Sequence, residues 1–117
     1  MKYPALVTLA AACTLVLSAC ASQTDNNLMQ TVPVGSGTSH LAIYPFVECV
    51  KPKWTSLAAK VRQYAPDSDG QILSVHGKGA SDSVLILAEP SANGTGYTIY
   101  GDVVAASRYV ALAHSCD

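Results

Sequence analysis

From Ala5 to Leu17 the chain carries apolar residues, two threonines and Cys13, with no charge, and Ser18-Ala19-Cys20 closes the run with small side chains. Met1 and Lys2 put a positive charge ahead of it. A positive start, a short apolar core and a small-residue exit describe a secretory signal peptide. The run is shorter than the roughly 20 residues a membrane-spanning helix needs. Whatever folds is therefore built after residue 19. Of 117 residues that leaves 98 (117 − 19), room for one domain.

The exit itself, Leu17-Ser18-Ala19-Cys20, resembles the lipobox of bacterial lipoproteins: a leucine, two small residues and a cysteine. The resemblance covers the first 20 residues. It implies that the Cys20 sulfur receives a diacylglycerol, that the signal is cut before it, and that the new amino group is acylated as well. Two or three acyl chains, at roughly 0.8 kcal/mol per buried CH₂, hold a protein on a bilayer where one chain would not. The next residue is Ala21 rather than Asp. In enteric-type sorting that resembles delivery to the outer membrane, facing the periplasm.

Without residues 1–19, six Lys+Arg (7 − 1) stand against eight Asp+Glu, a net charge near −2. No basic stripe or Arg cluster remains, which argues against nucleic acid as a partner and against a polybasic membrane patch. Two cysteines are left besides Cys13 and Cys20. Cys49 and Cys116 form an even pair in an exported chain, where disulfides persist. Closing that loop stabilises a small domain by roughly 4 kcal/mol in the chain-entropy model. The alternative, a metal held by Cys49, Cys116 and His114, lacks the Cys-x-x-Cys spacing of such sites.

Residues 20–39 read as a lipidated flexible tether. Ser22-Gln23-Thr24-Asp25-Asn26-Asn27, Pro33 and Gly35-Ser36-Gly37 provide few apolar groups to offset the entropy of ordering. Such a coil spans about 25 Å. The globular domain is then expected over residues 40–117. Between His40 and Val50, Pro45 leaves both an extended segment and a short helix open. From Lys53 to Ala65, the apolar Trp54, Leu57, Ala58, Val61, Tyr64 and Ala65 fall at helical spacing, which predicts an amphipathic helix ended by Pro66.

Three apolar runs then predict strands at Gln71–His76, Ser83–Ala88 and Gly96–Gly101, joined by Gly-containing connections that suit hairpins. Asp102 is placed to cap a helix whose inner face is Val103, Ala106, Tyr109, Val110 and Ala113. The expected fold is α+β, order α-β-β-β-α, with two helices packed on one face of a three-stranded antiparallel sheet. Cys49 ahead of the first helix and Cys116 at the end of the last would meet if the helices run antiparallel.

Chemical motifs are weak. His76-Gly77-Lys78-Gly79-Ala80-Ser81 lacks the spacing and the Ser/Thr after lysine that a phosphate loop needs. Ser81, Asp82, His76 and His114 include the residue types of a hydrolase triad, but no Gly-x-Ser-x-Gly elbow exposes a nucleophile. His40, His76 and His114 are scattered, and His114 is expected to meet the carbonyls at a helix end. Glu48 and Glu89 do not read as a glycosidase pair. Asn93 and Gly94, with Tyr97 and Tyr100 on the adjoining strand, form a possible binding surface, since exposed tyrosine gives contact area at low entropic cost. Packing of both rings into the sheet is the plainer reading.

The expectation is a non-enzymatic, membrane-anchored envelope lipoprotein with no cofactor, contacting another envelope protein. A periplasmic ligand-binding or inhibitor domain is the alternative, and a cell-wall hydrolase comes last.

Overall fold

The computed structural model describes residues 24–58, 60–66, 69–76 and 83–117. The signal segment, Cys20 and Ala21 lie outside the described residues, as do Lys78, Ser81 and Asp82. The architecture is a small α+β domain. A helical turn, α1 (24–28), is followed by β1 (Gly35–Ser39), α2 (Ile43–Thr55), β2 (Arg62–Tyr64), β3 (Gln71–Val75), β4 (Val84–Ser91), β5 (Gly94–Gly101) and α3 (Val103–His114). The strands make one antiparallel sheet in the order β1-β5-β4-β3-β2.

The three expected strands are present, and two more flank them. β2 and β1 form the sheet's edges, which makes five strands instead of three. β1 lies in the stretch read as tether, so the domain begins before residue 40. Gly-Ser-Gly-Thr-Ser has no apolar pattern, yet all five residues pair with β5. Its glycines make room for the helix layer. A Cβ on Gly35 would stand 2.9 Å from a Val110 methyl, and one on Gly37 would stand 2.5 Å from the Tyr97 hydroxyl.

Strand register separates two faces. Leu73 pairs with Ile86 and Ile86 with Ile99, while Val75 pairs with Val84, so these side chains share one side. On that side α2 lays down Phe46, Val47, Val50 and Trp54, all buried, and α3 adds Ala106 and Ala113. Both helices thus cover the same face, as expected. The opposite face carries Ile72, Ser74 and Leu85, also buried.

The first long helix is not where the spacing put it. It runs Ile43–Thr55, and residues 62–64 of the expected helix are β2. Pro45 sits in the first turn of α2, where an N–H has no intrahelical partner to lose. Pro52 lies inside the helix near its end, costing one hydrogen bond while Trp54 beyond it is fully buried. The register of Trp54, Leu57, Val61 and Tyr64 is coincidence: Leu57 is exposed after the helix, and Tyr64 pairs with Ile72.

The final helix starts at its expected cap, with Asp102 accepting hydrogen bonds from the backbone N–H groups of Val104 and Ala105. Ala106 and Ala113 face inward as expected, but Val103 is exposed. Cys49 and Cys116 are disulfide-bonded, with Cα atoms 6.0 Å apart. Cys49 lies within α2 rather than ahead of it, so the bridge fastens the middle of that helix to the chain just beyond α3. Two further contacts close the same seam. Trp54 Nε1 donates to the Tyr109 carbonyl at 3.0 Å, and Lys53 Nζ donates to Ser115 Oγ at 2.7 Å.

Candidate functional site

The anticipated surface of Asn93, Gly94, Tyr97 and Tyr100 does not form as one patch. Asn93 lies in the two-residue turn between β4 and β5, beside an open depression of about 520 Å³ that His40 and Asp117 also line. Gly94 has φ +146°, and a Cβ there would meet the Ser39 carbonyl oxygen at 2.1 Å. Its role is close backbone approach. Tyr97 is 3% exposed and stacks on Phe46 at 4.9 Å between ring centroids. Tyr100 pairs with Leu85, half-buried on the opposite face.

The Tyr97 hydroxyl donates to Asp117 Oδ1 at 2.6 Å and lies 2.6 Å from His114 Nδ1. Having one proton, the hydroxyl must accept from Nδ1–H, which sets the His114 tautomer. His114 therefore contacts Tyr97 and Asp117 rather than capping helix carbonyls. Burial pushes the Tyr97 phenol well above the ordinary tyrosine range, and the hydrogen bond and charge of Asp117 add to the rise.

A denser polar cluster sits on the second face, around a residue assigned to the tether. Asp25, in α1, is 4% exposed. Its Oδ2 accepts from the Tyr64 hydroxyl, and its Oδ1 accepts from Ser74 Oγ at 3.0 Å and pairs with His76 Nε2 at 2.8 Å. A carboxylate only accepts, so Nε2 carries the proton. One side chain from residue 25 thus ties α1 to β2, to β3 and to the residue after β3. Burial alone would raise the Asp25 pKa. The hydrogen bonds from Tyr64, His76 and Ser74, with the charge of His76, outweigh it and hold the carboxyl below its usual range. Burial and then the Asp25 carboxylate push the Tyr64 phenol far up, against a small opposing effect of Arg62.

Beside the cluster lies a cleft of about 470 Å³ between α1 and the β2–β3 edge. Asn26 and Met29 line one wall, and Arg62, Tyr64, Pro66 and Ile72 line the other. The Arg62 guanidinium lies 5.7 Å from the Tyr64 ring centroid, a cation–π contact.

Comparison with protein-family models, curated proteins and solved structures gives no match for this chain.

An imidazole oriented by a buried carboxylate is the pairing that serves general bases. Here Ser74 Oγ is fully buried and donates to Asp25 instead of approaching the imidazole. His76 makes no second polar contact among the described residues. As built, the cluster is a fastening. Among the described residues no group of three or more His, Cys, Asp or Glu is placed to hold a metal, and no helix is long and apolar enough to cross a membrane.

Sequence reasoning passed over Asp25 because it stands among Ser, Gln, Thr and Asn. Its partners are 39 to 51 positions away, and nothing local announces them.

Proposed function

We propose that this chain is an accessory lipoprotein of a bacterial envelope, cut before Cys20, acylated there, and presenting a small disulfide-clamped domain to another envelope protein. The observation that carries the reading is Leu17-Ser18-Ala19-Cys20 closing a charge-free apolar run behind Lys2. A chain anchored at Cys20 meets its own fold within five residues, so the domain is held beside its membrane instead of swinging on a 20-residue leash. In enteric-type sorting, Ala21 directs the anchor to the outer membrane, and the domain then faces the periplasm. No catalytic step and no cofactor is assigned to the chain.

The competing reading is a ligand-binding or inhibitor domain working through the Tyr97–Tyr100 strand and its Asn93-Gly94 turn, of which Tyr97 lies in the core and Tyr100 is half-buried on the opposite face. The test is crosslinking in intact cells followed by purification of the full chain from membranes. A single envelope protein recovered with wild type and lost with Cys20→Ser supports the reading. Recovery of no protein partner from crosslinked membranes contradicts it.

A further inference from the structure

We propose that the domain lies edge-on against the bilayer carrying its anchor, with Lys60 and Arg62 at the β2 edge touching anionic phospholipid headgroups. This rests on the lipoprotein reading and adds the surface that faces the membrane.

Chain length comes first. Five residue steps separate Cys20 from Asp25, at most about 18 Å fully extended. Asp25 is fastened to Tyr64 of β2 and Ser74 of β3, so that side of the domain stays near the acyl chains whatever the intervening residues do. β2 is an outer strand, paired with β3 on one side only.

Charge comes second. Lys60 and Arg62 are exposed, and neither makes an ion pair among the described residues. Lys51 reaches the same edge from α2, where its Nζ donates to Gln63 Oε1 at 3.1 Å. Of the described acids on this side, Asp25 is buried and already takes three hydrogen bonds, and Asp69, exposed in the β2–β3 connection, pairs with neither Lys60 nor Arg62. The other sheet edge, Gly-Ser-Gly-Thr-Ser, has no charge at all. Complementarity to an anionic surface therefore singles out the β2 edge.

Magnitude comes third. A basic residue near an anionic leaflet favours the bound state about fivefold. Two or three cannot recruit a free protein, in keeping with a sequence that lacks a polybasic run. An anchored domain needs only to be oriented, and for that two or three suffice.

The test uses the chain from Cys20 onward, which contains every described helix and strand. It is coupled through the Cys20 thiol to a maleimide lipid, in vesicles of phosphatidylcholine alone or of equal parts phosphatidylcholine and phosphatidylglycerol. Chemical coupling makes the result independent of whether cells acylate Cys20, so failure here and failure of the lipoprotein reading are separate. Amide hydrogen exchange over residues 60–64 should slow about fivefold or more on the anionic vesicles, with α3 unchanged. High salt, or Lys60→Gln with Arg62→Gln, should abolish the difference, and unaltered exchange in α2 and β4 shows that the double variant is folded. Equal exchange on both vesicles, or slowing at α3 instead, overturns the proposal. So does a double variant that self-associates through its edge with no change on vesicles, because the two charges then serve only to block strand pairing.

Discussion

His76 Nε2 stands 2.8 Å from Asp25 Oδ1, so a residue at the end of β3 holds one 51 positions earlier, just past the cysteine read as the lipid site. The contact converts the end of an apparent tether into part of the fold. Asp25→Ala leaves Tyr64, Ser74 and His76 without their shared acceptor. It should cost about 2–4 kcal/mol, at the high end for a single substitution. Urea unfolding of the chain from Cys20 onward measures it, and a loss under 0.5 kcal/mol, the range of ordinary surface changes, shows the fastening to be idle.

The same carboxylate predicts acid behaviour. Its pKa is lower in the folded state than in the unfolded chain. Its contribution is therefore complete above the unfolded value of about 3.9 and is lost as pH falls through the lower, folded value. Wild type should lose stability more steeply than Asp25→Asn over that acid range. Parallel pH profiles contradict the assignment. At the alkaline end the sign reverses, since Tyr64 and Tyr97 titrate higher when folded and their contribution fades as pH rises past the free-tyrosine range.

The Cys49–Cys116 bridge closes a separation of 67 residues. Replacing both cysteines by serine should lower stability by roughly 4 kcal/mol. Much of the margin of a domain this size goes with it. Non-reducing mass spectrometry of the protein purified from cells should find the two linked, and two free thiols refute the clamp.

Glycines separate two kinds of position. Gly94→Ala forces a side chain into φ +146° with its Cβ 2.1 Å from the Ser39 carbonyl oxygen, whereas a Cβ on Gly96 meets nothing within 4 Å. Thermal melts should show Gly94→Ala destabilised by well over about 1 kcal/mol and Gly96→Ala near neutral. Equal effects contradict the packing of the β4–β5 hairpin against the end of β1.

Legibility in the sequence followed how local each cause was. β3, β4 and β5 were readable because Ile72-Leu73, Val84-Leu85-Ile86-Leu87 and Tyr97 to Tyr100 are dense, Gly-bounded apolar runs. α3 was readable through its Asp102 cap, and the disulfide through cysteine parity. α2 is misplaced because the helical spacing from Trp54 to Ala65 continues past the true helix end at Thr55, while Pro45 leaves the segment up to Val50 open between strand and helix. β1 was hidden because its strand character is pairing with β5, and its glycines answer to Val110 and Tyr97 on other elements. Asp25 was hidden for the same reason. A cluster assembled from α1, β2 and β3 has no signature in any one of them.

The chemical state of Cys20 decides whether this chain is a lipoprotein. The decisive measurement is the mass of the amino-terminal peptide of the protein extracted from cell membranes. The expected result is a chain beginning at Cys20, with a diacylglycerol on its sulfur and a fatty acid on its amine. A peptide carrying a free thiol, from protein recovered intact in the culture fluid, contradicts it.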